Sequence, residues 1–322
     1  MVRLPEPVSS VRRAVRASLT RVPAGSLLLV ACSGGADSLA LAEATAFEAP
    51  RRGLRAGLVT VDHGLQAGSA HRAEAVVAWA TAAGLGPAEV ATVDVAGLPG
   101  GPEAAARTAR YAALDAAADR HHAAAILLGH TRDDQAETVL LALARGAGPR
   151  GLAGMPPRRG RYLRPLLDVS RADTRKACAA LGLVPWDDPH NTDPVYARSR
   201  VRAAALPALV AALGDGVVAN LARTAALVAA DNAALEALTG SVLAAARTPA
   251  GLSVPRLAEA PDGVRTRALH AWARELGAPG GALSHRHVAA LDALVTDWHG
   301  QGPTMLPGGI AVARRAGELV RV

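Results

Sequence analysis

Six small residues, Ser33-Gly34-Gly35-Ala36-Asp37-Ser38, separate the apolar run ending at Cys32 from a second apolar stretch that begins at Leu39. Residues of this size fill no core. Paired glycines let the backbone turn tightly and bring N–H groups against a ligand with no Cβ in the way. A helix starting there adds unpaired N–H groups and the positive end of its dipole, and Ser33 and Ser38 add hydroxyl donors. Such a corner suits a phosphate-like anion. Asp37 makes chemical sense beside phosphates when a divalent cation lies between them. The plainer alternative is a strand-to-helix turn capped by Asp37 and Ser38. The pattern is neither a Walker A loop, which would end in Gly-Lys-Ser/Thr, nor the GxGxxG dinucleotide fingerprint.

A second constellation is His130, Asp133, Asp134 and Glu137. Spacings of three and four put the carboxylates on one side of a helix near its start. Acidic residues in a first turn complement the dipole in any protein. Adjacent Asp residues beside a His at a strand end point further, to a cation or amine site with a base at hand. Asp62 and His63 close another apolar run, where an ordinary turn is the alternative. Arg107, Arg110 and Tyr111 lie in Glu103–Tyr111, and Glu103 with Arg107 has the spacing of a solvated helical ion pair. His121 and His122 end a helix, which the dipole explains. No HExxH spacing occurs.

These groups need a scaffold that gathers them. Strands are expected at Ser26–Cys32, Leu54–Asp62, Glu89–Val95 and Ala124–His130. Helices are expected at Asp37–Glu48, Ser69–Ala83, Pro102–His121 and Arg132–Arg145. The alternation predicts parallel βαβ units, a doubly wound, mostly parallel α/β sheet covered on both faces. Its ligands sit beyond the carboxyl ends of the strands, where the polar segments at 33–38, 62–64 and 129–138 all fall. Residues 145–165, rich in Gly, Pro and Arg, read as a loop, and Ser170 with Asp173 starts a capped helix. Helices follow at Val217–Ala246, Pro255–Glu275 and Ser284–Trp298, then a hairpin broken by Pro307-Gly308-Gly309. The division expected is 1–210 for the catalytic domain and 211–322 for a smaller, mostly helical domain that recognises the substrate.

The chain has 322 residues, a formal charge of +7 and eight aromatic residues, and Lys176 is its one lysine. Twelve Arg or Lys against five Asp fall between Arg145 and Arg202, a net +7 equal to that of the whole chain. Charge concentrated in this way points to a polyanionic partner. Sparse aromatics make phosphate contact, with its steep salt dependence, the main source of affinity. Cys32 and Cys178 form no CxxC, so neither zinc nor a disulfide framework is indicated. The N-terminus lacks a signal-peptide core, and the apolar runs are interrupted before spanning length. The expectation is a soluble, cytoplasmic protein with no membrane role.

The 33–38 segment resembles the pyrophosphate-binding loop of the N-type ATP pyrophosphatases (the PP-loop, or adenine nucleotide α-hydrolase-like, superfamily). Together with Val61–Glu74, Glu103–Leu114, Gly129–Met155 and Arg164–Arg202, in unbroken order over roughly the first two thirds of the chain, it resembles the tRNA(Ile)-lysidine synthetase family. Thr131 stands where a second His is common, His190 and Ser199 replace the usual Ser and Asn, and the C-terminal part is shorter than in larger members. The resemblance implies a ligase that modifies tRNA. ATP adenylates O2 of the wobble cytidine in a CAU-anticodon tRNA(Ile), with Mg²⁺ as cofactor, and L-lysine then displaces AMP to form lysidine. It implies ATP binding by Ser33, Gly34, Gly35, Ala36, Asp37, Ser38, Asp62 and His63. Catalytic roles fall to Asp37, Arg107, His130, Asp133, Asp134 and Glu137, with Mg²⁺ on Asp37 and Asp134. Contact with tRNA falls to Arg158, Arg159, Arg198, Arg200 and Arg202, and a homodimer is allowed. The rival readings are a tRNA cytidine thiolase, which would rely on paired cysteines, and a non-catalytic nucleotide sensor. Asparagine and GMP synthetases would need a glutaminase.

Overall fold

The structure, a computed structural model, describes residues 4–64, 68–94, 102–186 and 195–322. His190 and the side chain of Glu103, with its expected pairing to Arg107, lie outside the described residues. The chain forms two compact units, Met1–Ala229 and Ala230–Val322.

The first unit runs α1 (Glu6–Ser18), β1 (Leu27–Ala31), α2 (Ala36–Glu48), β2 (Arg55–Asp62), α3 (Ser69–Ala82), β3 (Ala88–Thr92), α4 (Pro102–Arg120), β4 (Ala125–Leu128) and α5 (Arg132–Ala144). Then come α6 (Pro149–Leu152), β5 (Arg158–Arg159), β6 (Tyr162–Leu163), α7 (Arg171–Ala180), α8 (Ala197–Arg200), a π-helical turn over Val201–Ala205, and α9 (Leu206–Leu213). The two units divide within α10 (Val217–Ala246).

The sheet order is β3-β2-β1-β4-β6-β5, parallel throughout except for β5 against β6. Chain order reverses at β1, which pairs with β2 on one side and β4 on the other. That is the switch point at which an open α/β sheet leaves a crevice. The strand period of two divides the core between the faces. Leu28 and Val30 pack with Val11, Leu41 and Cys178 of α1, α2 and α7. Leu27 and Leu29 pack with Leu114, Ala117 and Ile126, under α4. Leu28 and Ile126 are fully buried, and each such side chain contributes about 1.5–3 kcal/mol of transfer energy.

Several elements depart from expectation. The charged N-terminus is helical because Val8, Val11 and Val15 share one face and are buried. Its arginines meet α2, with Arg12 on Glu43 and Arg16 Nη2 on Glu48 Oε1 at 2.8 Å. The expected loop at 145–165 contains α6 and the β5–β6 hairpin. The helix expected over Pro255–Glu275 is two helices, α11 (Val254–Ala258) and α12 (Asp262–Glu275). Pro261, the N-cap of α12, explains the break, since proline cannot donate to a helix running through it.

The second unit adds β7 (Gly251–Ser253), α13 (His285–Thr296), β8 (Thr304–Leu306), β9 (Ile310–Arg315) and β10 (Glu318–Arg321) to these helices. Its antiparallel sheet, ordered β7-β10-β9-β8, packs Leu252, Ile310, Val312 and Leu319 against Leu269, Trp272 and Leu291. The tail is thus two hairpins instead of one. The second turns at Ala316-Gly317, both at positive φ, a two-residue reversal suited to the twist of the strands. Helix α10 is long and apolar enough to cross a membrane by length and composition. It nevertheless carries Asp231 at its midpoint, and its Asn232 and Glu236 accept hydrogen bonds from Arg267. A charge at mid-bilayer depth is costly.

Candidate active site

Strand β1 delivers the glycine corner to the crevice. Gly34 has φ +83°, a conformation that side chains disfavour, and a Cβ there would also meet Val76 Cγ2 at 3.2 Å. Gly35 is the N-cap of α2, and no side chain caps that helix among the described residues. Its first N–H groups therefore have no side-chain cap among the described residues, as an anion site requires. Ser38 is buried and holds the corner from within. Its hydroxyl donates to Gly35 O at 2.9 Å and accepts from Ser33 N at 3.2 Å. Gly129, just past β4, completes the approach, since a Cβ at that position would lie 3.1 Å from Asp37 C and Ser38 N. Only a glycine lets β4 and α2 come this close.

The corner opens into a cleft of about 680 Å³ lined by Ser33, Gly35, Ala36, Asp37, Ser38, Asp62, His63, Arg72, Arg110, His130, Asp134, Arg171, Arg175, Trp186 and Arg202. A separate recess of about 490 Å³ between β3 and α4 is half lined by alanine and gathers no comparable set of polar groups. We take the larger cleft as the site because the chemistry converges there.

Across the cleft stands a network of carboxylates and guanidiniums. Thr131 and Asp134 cap α5 reciprocally, and Asp134 Oδ2 accepts from Thr131 N at 2.8 Å. Asp134 Oδ1 accepts from Arg171 Nη2 at 3.0 Å and Arg202 Nη2 at 3.4 Å. Glu137 is wholly buried, yet it accepts from Arg171 Nη2 at 3.1 Å, Arg198 Nε at 2.9 Å and Arg202 Nε at 2.8 Å. Asp133 Oδ2 accepts from the Arg171 backbone N–H at 2.8 Å, at the start of α7. Asp37 accepts from the Thr174 hydroxyl, and its Oδ2 lies 3.6 Å from Arg171 Nε. Arg171 thus binds four carboxylates that the sequence brings from two helices.

The electrostatics follow from burial. Desolvation pushes Asp37 up to about 6, opposed by the Thr174 hydroxyl and Arg171 and reinforced by Asp134 and Asp133. Burial also raises Asp134, but Arg171, the Thr131 N–H and Arg198 outweigh it and hold that carboxyl below its usual range. Burial drives His130 down to about 3, helped by Arg164, Arg198 and Arg110 against Asp134. The ring is therefore neutral at physiological pH, and its buried Nδ1 has no partner among the described residues. His63 is lowered by burial and Arg110, and its Nδ1 is likewise unpartnered. Arg110 itself is lowered by burial, Arg107 and Arg198. A half-buried cation and two neutral imidazoles line the same cleft as the glycine corner. That half of the cleft favours an anion.

The remaining residues singled out from the sequence divide in position. Asp62 lines the cleft and accepts from Gly64 N at 2.9 Å in a turn. Arg107 is exposed, 4.9 Å over the Tyr111 ring, and Arg110 reaches the cleft in its place. Arg158 and Arg159 are exposed on β5, and Arg200 is exposed with Nη1 on Val195 O at 2.8 Å. Arg198 and Arg202, with Arg171, give part of the basic segment's charge to Glu137. Sequence reasoning missed Gly129, Arg171, Thr174, Arg72 and Trp186. Gly129 alone had a local signal, a glycine between a strand and a histidine.

Residues 9–209 match a family described as a PP-loop domain, and residues 252–320 match a TilS substrate binding domain. A tRNA(Ile)-lysidine synthase of Salinispora arenicola is 67% identical over 100% of this chain and 98% of its own length. One from Thermobifida fusca is 57% identical over 98% of each. The chain belongs to the tRNA(Ile)-lysidine synthase family. Members of this family are ATP-using enzymes, and the PP-loop match spans the glycine corner described above. Among solved structures, a U34-tRNA thiolase from Methanococcus maripaludis has a TM-score of 0.55 at 18% identity, covering 68% of this chain and 78% of that one. This likeness shows a shared fold. Cys32 and Cys178 are free and buried. No group of three or more His, Cys, Asp or Glu side chains is disposed to hold a metal ion among the described residues.

Proposed function

We propose that this lysidine synthase family member joins L-lysine to C2 of the wobble cytidine in CAU-anticodon tRNA(Ile). Cytidine O2 attacks the α-phosphorus of ATP and diphosphate leaves. The lysine ε-amine then adds at C2, and the C2–O2 bond breaks to release AMP. One observation carries the reading: an uncapped glycine corner and a guanidinium-bound carboxylate network share one cleft at the switch point of a family member matched over its full length.

The roles follow from the geometry. Residues Ser33–Ser38 seat the diphosphate, and preorganised N–H donors stabilise the charge it gains on leaving. Asp62 and His63 border the nucleoside. Neutral His130 and cationic Arg110 face the phosphate that transfers, and Arg107 supports them from the same helix. Asp133, Asp134 and Glu137 set the field for the ammonium of lysine, and one of them takes its proton. Asp37 suits Mg²⁺, because its burial penalty is only partly met by Thr174 and Arg171. Asp134 would be the second residue to hold the ion. The ion would neutralise charge on the diphosphate. Exposed Arg158, Arg159 and Arg200, with Arg198 and Arg202, meet tRNA phosphates. Residues 1–210 carry the chemistry and 211–322 recognise the tRNA, in the cytoplasm and as a homodimer. Incubation with tRNA(Ile), ATP and labelled lysine tests the proposal: label enters the tRNA only when all three are present. Turnover of ATP without lysine incorporation refutes it.

A further inference from the structure

Helix α7 touches the first turn of α2 at two neighbouring points. The Thr174 hydroxyl donates to Asp37 Oδ1, and one turn further along α7 the Cys178 thiol donates to Ala36 O at 3.3 Å. Thr174 is wholly buried, and its Oγ1 also lies 2.8 Å from Arg171 O, three residues back on the same helix. A β-branched side chain in a helix is stiff at χ1, so Oγ1 keeps its direction. Its single proton serves one acceptor at a time, and an ionised carboxylate is the stronger. Asp37 lines the cleft. Its second oxygen, Oδ2, accepts no hydrogen bond among the described residues, with Arg171 Nε at 3.6 Å.

We propose that Thr174 is a positioning residue for Asp37, holding Oδ1 so that Oδ2 is presented to the divalent ion that accompanies the diphosphate. The inference rests on the reading of the glycine corner as the diphosphate seat and of Asp37 as an Mg²⁺ ligand, and adds the group that orients the carboxylate. The χ2 torsion of an aspartate is broad, so an untethered carboxylate spends part of its time turned away from a cation. A hydrogen-bond donor behind the ligand removes that freedom, and losing such a partner costs about 10- to 100-fold in metal affinity. Without the hydroxyl, Asp37 is free to turn toward Arg171, which already serves Asp133, Asp134 and Glu137.

The experiment measures binding of inorganic pyrophosphate to the full chain by calorimetry, once in Mg²⁺ and once in EDTA. Thr174→Val keeps the shape and removes the hydroxyl. It is expected to weaken pyrophosphate about tenfold in Mg²⁺ and by no more than about twofold in EDTA. Thr174→Ser, which restores the hydroxyl, should return the affinity to within about threefold of wild type. Thr174→Ala removes the hydroxyl with a smaller side chain, in case valine disturbs the α2–α7 contact, and the thermal midpoint of each variant reports its folding. In tRNA-dependent turnover, the Mg²⁺ concentration at half-maximal rate should rise about tenfold while the rate at saturating Mg²⁺ stays near that of wild type. A loosened fold does not produce that split. Equal affinity of wild type, Thr174→Val and Thr174→Ala for pyrophosphate in Mg²⁺ overturns the proposal, as does an equal loss in EDTA or a failure of Thr174→Ser to restore binding. Wild-type affinity that is the same in Mg²⁺ and in EDTA would instead overturn Asp37 as a metal ligand. Failure of the wild type to bind pyrophosphate at all would overturn the reading of the glycine corner.

Discussion

Glu137 offers the sharpest energetic test of the network. Its side chain is 0% exposed, and it neutralises Arg171, Arg198 and Arg202, whose side chains are 19%, 30% and 31% exposed. Glu137→Gln keeps the shape and removes the charge. It leaves three guanidiniums crowded around a neutral amide that can offer one oxygen. Breaking a fully buried pair costs about 3–5 kcal/mol. Arg198 and Arg202 are partly solvated, so their share is discounted by screening, and Asp134 still serves Arg171 and Arg202. The expected loss is about 3 kcal/mol. For a unit of this size that lowers the midpoint of thermal unfolding by roughly 6–12 °C. Scanning calorimetry at pH 7 reads it, and the transition of the second unit serves as an internal control. A double-mutant cycle with Arg198→Gln should show a coupling of about 1 kcal/mol. A midpoint shift under 2 °C, or additive effects of the two changes, would refute the claim that Glu137 is the anchor of the basic segment.

Asp37 gives a pH test. A carboxyl raised to about 6 when folded, from 3.8, binds more protons folded than unfolded between those values, so the stability of the first unit falls as pH rises through that window. Asp37→Asn should flatten this dependence and raise stability above pH 6 by about 2–3 kcal/mol, while tRNA-dependent turnover drops by orders of magnitude; denaturant titrations at pH 4 and pH 7 check the sign. Gly129→Ala must push α2 away from β4, costing about 1–3 kcal/mol and weakening ATP binding in a calorimetric titration. Replacing both Arg158 and Arg159 with Gln should reduce the slope of log affinity for tRNA against log salt by about 2 and leave ATP binding unchanged.

Much of the fold was legible because the signals were local. Leu27–Cys32 reads as a strand on composition alone, and Ser33–Ser38 announces a turn whatever its ligand. The three valines of α1 carried a helical period, but the arginines and proline around them obscured it. Ala316-Gly317 hid a hairpin because alanine rarely takes positive φ. The carboxylates of α5 were recognised as a group, whereas their partners were not. Arg171, Arg198 and Arg202 lie 34 to 65 residues away from Glu137, and no spacing rule spans that distance. For the same reason a basic stretch that suggested an open patch spends part of its charge internally. Gly129 shows the same limit, since its need for a missing Cβ arises only when α2 is packed against it.

The measurement that bears most directly on the central claim follows the two ends of ATP separately. The chain is incubated with CAU-anticodon tRNA(Ile) and no lysine, using ATP labelled at either the α- or the γ-phosphate. Label from the α-phosphate should join the tRNA while label from the γ-phosphate leaves as pyrophosphate, and added lysine should release the bound label as AMP. Label from the γ-phosphate in the tRNA or in orthophosphate, or no α-label in the tRNA, would contradict the account.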